Sequence, residues 1–281
     1  MSVSFKRGLA AVVAVASATL ILAGCATAQP TNTAANGLQT VTAGKLTIAT
    51  GEPAYEPWVI GDKPESGKGF EAAIAYAVAK QLGYSAKNVV WVRTSFDEAI
   101  APGLKNWDFN LQQFSITDER KKSVDFSSPY YETTQAVVTV KGSKAAGVSS
   151  VAGLKGLAIG AASGTTSFNA IESIIKPTSG AKAFNNNDDA VAALQAGQID
   201  ALVVDLPTAL YLSAVEITDG VIAGQLPNSS TGGDQFGLVL EKDSKLTSAV
   251  SKAVDALKAN GTLAKLADKW LANYASAPVL K

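Results

Sequence analysis

The period of the apolar residues switches between two and nearly four all along this chain, and that alternation limits its fold more than any other feature. Residues 45–50 (KLTIAT) have strand character and are stopped by Gly51-Glu52-Pro53. Phe70, Ile74, Val78 and Leu82 then recur every fourth residue, and Gly83 follows, which predicts an amphipathic helix with a C-terminal stop. Residues 89–92 (VVWV) read as a second strand, 96–104 as a short helix limited by Pro102, and 107–114 as a third strand. The pattern restarts with strands at 135–140 and 157–161, and a helix opens at 163–167 (SGTTS). A helix at 188–195 stopped by Gly197, a strand at 199–204 running into Asp205, and a helix led by Pro207 come next. A strand at 236–240 and two helices, one with Leu246, Val250, Val254 and Leu257 on a single face and one carrying Leu263, Leu266, Trp270 and Leu271, close the chain. Strands alternating with helices predict two α/β blocks with mostly parallel sheets, followed by a helical tail.

Composition narrows the chemistry. The 281 residues supply ample core for two such blocks. No His is present, so Ser-His-Asp and Cys-His chemistry are out. One Cys cannot close an internal disulfide, and one Cys without His builds neither a zinc nor an iron–sulfur site, so no cofactor or metal is expected. Lys and Arg number 24 against 24 Asp and Glu, a balance that argues against a nucleic-acid partner.

That single cysteine is well placed. Lys6 and Arg7 precede an uncharged apolar run at 8–22, which has the length of a signal-peptide core and is short for a membrane span of ~20 residues. The run ends Leu22-Ala23-Gly24-Cys25, which resembles the lipobox of bacterial lipoproteins. The resemblance implies a signal peptide at 1–24, lipidation of Cys25 and a membrane-anchored body outside the cell membrane; the alternative is an ordinary signal peptide with an incidental Cys. Several acyl chains anchor stably where one is marginal. Residues 25–43 are small, polar and uncharged, a flexible tether.

The most informative segment is Ser115-Ile116-Thr117-Asp118-Glu119-Arg120, followed by Val124-Asp125-Phe126-Ser127-Ser128-Pro129-Tyr130-Tyr131. Ser115 and Thr117 leave a strand end together, Asp118 and Glu119 fit a first helical turn, and Arg120 can fork onto a carboxylate. Taken alone, Arg120 would be a surface ion pair worth ~0–1 kcal/mol. The whole segment strongly resembles the polar amino acid-binding group of extracellular solute-binding proteins, the receptors of ABC importers. Gly69-Phe70-Glu71, Leu154-Lys155-Gly156, Ser163-Gly164-Thr165-Thr166 and residues 196–201 (AGQIDA) with Asp205 after them follow that family's pattern in order, over roughly residues 45–271. Ala73 departs from the acid common at its helix position.

The resemblance implies a two-lobed periplasmic-binding-protein-like fold with two hinge crossings, near 131–135 and 231–235. Lobe 1 would comprise 44–133 plus 235–281, and lobe 2 would comprise 134–234. It further implies that Arg120, Ser115 and the Gly164-Thr165-Thr166 turn bind a ligand α-carboxylate. Asp205 pairs with the α-ammonium, and Gln113 contributes a backbone group. Tyr55 stacks on the ligand with Phe96 as opposite wall, and Glu52 touches the ligand side chain, favouring a basic amino acid or glutamine. Residue chemistry agrees: a helix start after a glycine turn presents N–H groups to anions, and strand ends are where open α/β sheets place ligand groups. The turn lacks the Lys of a nucleotide-binding loop. Simpler alternatives are core packing for Tyr55 and Phe96, a helix cap for Asp205 and a solvated loop acid for Glu52; Trp107 and Trp270 are assigned to packing. The expected function is ligand capture by hinge closure, as a monomer, and delivery to an ABC permease. The rivals are a cyclohexadienyl-type dehydratase on the same fold, with Glu52 or Glu71 as its acid, and an amino acid sensor without transport.

Overall fold

A computed structural model describes residues 37–228, 232–272 and 276–281, all within the compact unit Asn32–Lys281. Cys25, the signal segment and most of the tether lie outside the described residues.

The first lobe begins with β1 (Leu46–Thr50), α1 (Phe70–Gln81), β2 (Val89–Arg93), α2 (Phe96–Ile100), β3 (Phe109–Asn110) and β4 (Val124–Phe126). β5 (Tyr131–Thr133) leads to the second lobe, which holds β6 (Gln135–Val140), β7 (Ile159–Ala162), α3 (Thr166–Ala170), β8 (Lys182–Phe184), α4 (Asn187–Gln195), β9 (Ala201–Asp205), α5 (Leu206–Tyr211) and β10 (Gly220–Gln225). The chain returns through β11 (Asp234–Phe236) to β12 (Val239–Glu241), α6 (Thr247–Ala259) and α7 (Thr262–Leu271).

The first sheet has the order β2-β1-β3-β12-β4, and the second β10-β6-β9-β7-β8. In the first, β1 pairs in parallel with β2 and β3, while β12 runs antiparallel to β3 and β4. In the second, β7 is parallel to β8 and β9, while β6 is antiparallel to β9 and β10. Each sheet is thus mostly parallel, as expected: four of its five strands run the same way, and one, β12 in the first and β6 in the second, runs against them. The sequence pattern shows only that strands and helices alternate; it does not mark the reversed strand, which in each sheet is the one that follows a lobe crossing.

Packing follows the sequence periods. Phe70, Ile74 and Val78 on one face of α1 are fully buried with Leu46 and Ile48 of β1, beside Val250 and Val254 of α6. Each such side chain contributes roughly 1.5–3 kcal/mol by leaving water. Along β6, Ala136 and Val138 enter one core while Val137 enters the other, as the period of two requires. α1 starts at Gly69, whose φ is +103° and where an added Cβ would lie 2.4 Å from the Trp58 carbonyl oxygen; only glycine fits there.

Some elements are shorter than expected. α2 stops at Ile100 because Ala101 precedes Pro102 and is extended, with ψ 149°. Of the strand expected at 107–114, only Phe109–Asn110 is a strand; the rest turns beneath the cleft.

The lobes are joined by the antiparallel ribbon of β5 and β11, which pairs Thr133 with Asp234 and Tyr131 with Phe236. Trp58 packs on Tyr131 and Phe236 with ring centroids 6.0 and 5.7 Å away, fastening the ribbon to lobe 1. The end of the chain corrects the expected lobe boundary. Residues 276–281 do not stay with lobe 1 but lie along β10: Gln225 N–H donates to Pro278 O (2.7 Å) and Leu280 N–H to Gln225 O (2.8 Å). Leu280 is buried in the lobe 2 core. The chain thus passes between lobes a third time, after α7, a crossing with no periodic signature in so short a tail.

Candidate functional site

Between the lobes lies a cavity of about 280 Å3. It is lined by Glu52, Tyr55, Phe96, Gln113, Ser115, Arg120, Thr165, Thr166 and Asp205, nine of the ten residues singled out from the sequence. Gly164 is not on the wall; its carbonyl accepts from Arg120.

Arg120 opens a single helical turn after β3, and its own N–H is held by Thr117 Oγ1 at 3.1 Å. Its side chain is 8% exposed. Nη1 donates to Ser115 O (2.8 Å) in its own lobe, and Nη2 donates to Gly164 O (2.9 Å) across the cleft. The guanidinium carbon sits 5.2 Å from the Phe96 ring centroid, a cation–π contact worth about 0.5–2 kcal/mol. Burial lowers the arginine's pKa, opposed by the charges of Asp205, Asp234 and Asp97. A guanidinium carries five N–H groups and stays ionised, so donors remain beyond the two bonds above.

The opposite wall is the start of α3. Thr165 caps it, accepting from Phe168 N–H at 3.1 Å. Thr166 Oγ1 lies 3.1 Å from Ser115 Oγ and 2.8 Å from Asp234 Oδ2. Asp205 ends β9, half-buried, and makes no side-chain cap to α5; the helix-cap alternative is thereby set aside. Burial, and then the charge of Asp234, push its carboxyl up to about 8, against the opposing effects of the Gln135 amide and Arg120. Gln135 Nε2 donates to both Asp205 Oδ1 (2.8 Å) and Asp234 Oδ2 (2.7 Å).

The remaining residues divide between the walls. Tyr55 is half-buried, and its hydroxyl faces Asp188 at the start of α4; burial first, then nearby acids, raise its pKa. Phe96 stacks on Phe114 at 4.7 Å between centroids as well as facing the cavity, so it serves packing and wall together. Glu52 is exposed at the rim. The lobes touch through the Arg120 and Thr166 contacts and through Trp58 Nε1, which donates to Thr208 Oγ1 at 2.9 Å.

The segment at 124–131 that carries the resemblance is mainly fastening. Asp125 accepts from Lys242 Nζ and Thr247 Oγ1, and Ser127 Oγ accepts from Leu238 N–H. Sequence reasoning missed Asp234 and Gln135. Neither sits in a recognisable motif; what distinguishes them is their position on the two hinge crossings.

Comparison with known proteins agrees with this geometry. Residues 46–273 match the family described as Bacterial extracellular solute-binding proteins, family 3. An L-arginine-binding protein of Pseudomonas aeruginosa is 32% identical over 235 residues, covering 78% of this chain and 85% of that one. Among solved structures, an ancestral arginine-binding protein bound to glutamine is 33% identical with a TM-score of 0.67, covering 81% of this chain and 97% of that one. An ancestral amino acid-binding protein described as a precursor of cyclohexadienyl dehydratase is 30% identical with a TM-score of 0.66, covering 81% and 95%. The chain belongs to the bacterial extracellular solute-binding proteins of family 3. Its fold is that of the type II periplasmic binding proteins.

Proposed function

We propose that this protein captures one polar L-amino acid outside the cell membrane and hands it to an ABC importer. The observation that carries this reading is the pairing of one buried arginine, Arg120, with one strand-end carboxyl, Asp205, on opposite walls of a cavity of about 280 Å3. A zwitterion answers both. Its carboxylate meets Arg120, Ser115 and the turn Gly164-Thr165-Thr166; its ammonium meets Asp205; Gln113 adds a backbone group; Tyr55 and Phe96 flank it. Because Arg120 belongs to lobe 1 and Asp205 to lobe 2, a ligand joining them favours the closed arrangement about the β5–β11 ribbon. The closed form then docks on the permease as a monomer.

A basic amino acid or glutamine fits the side-chain end best. Glu52, Asn185, Asn186 and Asn187 are among the residues lining the cavity. The arginine and glutamine named for relatives support the same choice. A thermal-unfolding screen tests it: L-arginine, L-lysine, L-histidine and L-glutamine at saturating concentration should include one that adds about 2.7 kcal/mol at 100 Kd. Stabilisation by L-leucine or L-aspartate alone would contradict the assignment.

Gly164 offers a second prediction. With φ at +69°, an added Cβ would sit 2.8 Å from Asp97 Oδ1 of the facing lobe. That carboxylate ends an exposed side chain and can turn aside, so the main cost is the left-handed backbone: Gly164→Ala should weaken capture by up to roughly tenfold, an effect of about 1 kcal/mol. Unchanged affinity in a folded Gly164→Ala variant would argue against a left-handed turn beside the ligand.

Turnover is the second reading, favoured by the neighbour described as a dehydratase precursor. Binding without turnover is the better supported. Glu71, which is buried, already accepts from Gln113 and Tyr130 and does not line the cavity, which leaves Glu52 as the only glutamate lining it among the described residues. The anchor is proposed to be lipid on Cys25, cut after Gly24. Cys25→Ala should move the protein from the membrane to the soluble fraction; retention on the membrane would contradict lipidation.

A further inference from the structure

We propose that Glu71 is a positioning residue for ligand capture, holding Gln113 in place at the cavity wall from beneath. The inference rests on the reading of this cavity as the amino acid site. Glu71 stands in the first turn of α1 and is 1% exposed. One carboxylate oxygen accepts from the Gln113 backbone N–H (2.7 Å) and from the Tyr130 hydroxyl; the other accepts from Gln113 Nε2 (2.5 Å). A buried carboxylate held by donors on both oxygens is well placed to fix its partner rigidly.

The partner needs fixing. Gln113 has φ +51°, a left-handed backbone that a residue other than glycine adopts at a cost of about 1 kcal/mol or more. Two residues further on, the Ser115 carbonyl holds Arg120 Nη1. The carboxylate thus sets both a wall residue of the cavity and, through the same loop, the anchor of the arginine.

The role depends on charge. An ionised carboxylate only accepts, and all three neighbouring groups donate to it; a protonated one accepts more weakly and carries a hydrogen of its own, which either displaces a Gln113 donor or makes the Tyr130 hydroxyl turn and accept. The groups facing Glu71 are Gln113 and the Tyr130 hydroxyl, and its charge in turn helps to raise the carboxyl of Asp205; no cation pairs with it among the described residues. Burial pushes Glu71 up to about 7 in spite of its three donors. Acidification through neutrality therefore loosens Gln113, and affinity falls with it, in addition to any titration at Asp205.

The test is the pH profile of amino acid affinity in the full chain and its variants. Glu71→Gln, which keeps the shape but opposes one amide to another, should weaken binding by roughly tenfold. Its log Kd should also change less steeply between pH 5.5 and 7 than that of the wild type. Adding Gln113→Gly, which removes the left-handed penalty, should recover part of that loss. Tyr130→Phe removes one donor without charge or bulk, and should move the acid limb of the profile to higher pH. Wild-type affinity and slope in Glu71→Gln, or an unmoved limb in Tyr130→Phe, would overturn the proposal while leaving the site itself intact. If the wild-type protein binds no amino acid at any pH, the reading on which the proposal rests fails with it.

Discussion

Arg120→Ala should turn a micromolar amino acid binder into a millimolar one, a loss of about 4 kcal/mol. The size follows from what the side chain does. Its guanidinium is buried, faces Phe96 and is held in orientation by the carbonyls of Ser115 and Gly164. It therefore meets a carboxylate without reorganising, and in a desolvated site a charge-assisted pair lost from one side costs 2–5 kcal/mol. The apo protein should lose less, about 1.5–3 kcal/mol, chiefly from the charge-assisted hydrogen bond to the carbonyl of buried Ser115. The Gly164 carbonyl is on an exposed residue and can turn to water. Arg120→Lys should restore little, because a lysine cannot fork onto a carboxylate while also bonding both carbonyls. Equal losses of binding and of apo stability in Arg120→Ala would make the residue structural instead.

The second large effect concerns protons. Asp205 is held up to about 8, first by burial and then by Asp234. An ammonium group beside it favours the carboxylate, so the complex binds fewer protons than the free protein. At pH 7, ligand capture should release close to one proton, and affinity should weaken about tenfold per pH unit as pH falls below 8. The sign for the free protein is opposite. A carboxyl whose folded pKa lies above its unfolded value of about 3.9 contributes stability that is complete below that value and lost as pH rises towards 8. Glu71, raised to about 7 by burial, acts in the same direction. Acid should thus favour folding of the free protein through these groups while opposing capture. Calorimetric titration in two buffers of different ionisation enthalpy counts the protons directly. No released proton at pH 7, or Asp205→Asn binding as tightly as wild type, would contradict the assignment of Asp205 as ammonium partner.

Much of this was legible in the sequence, for identifiable reasons. Ser115, Arg120 and the turn at Gly164 stand at element ends, where the period of the apolar residues breaks and polar groups meet a cleft. Phe70, Ile74 and Val78 declare the buried face of α1 by spacing alone. Asp234 and Gln135 were not legible, because their role arises from two crossings 99 residues apart being brought side by side. The one reversed strand in each sheet has the same origin, since a strand's local pattern does not say which neighbour it pairs with. The docking of Leu280 on lobe 2 depends on the space beside Gly224, where its side chain lies 2.8 Å from the position of a missing Cβ. Glu71 lay in plain view within Gly69-Phe70-Glu71, but its partner Gln113 is 42 residues away and its left-handed backbone leaves no mark on the sequence.

The central claim, one polar amino acid held between Arg120 and Asp205, is tested most directly by isothermal titration of the purified protein at pH 8 with the common L-amino acids in turn. The account predicts saturable binding of one molecule per chain by at least one basic or amide amino acid, and heat lost in Arg120→Ala. No binding by any of them in a folded protein would contradict it.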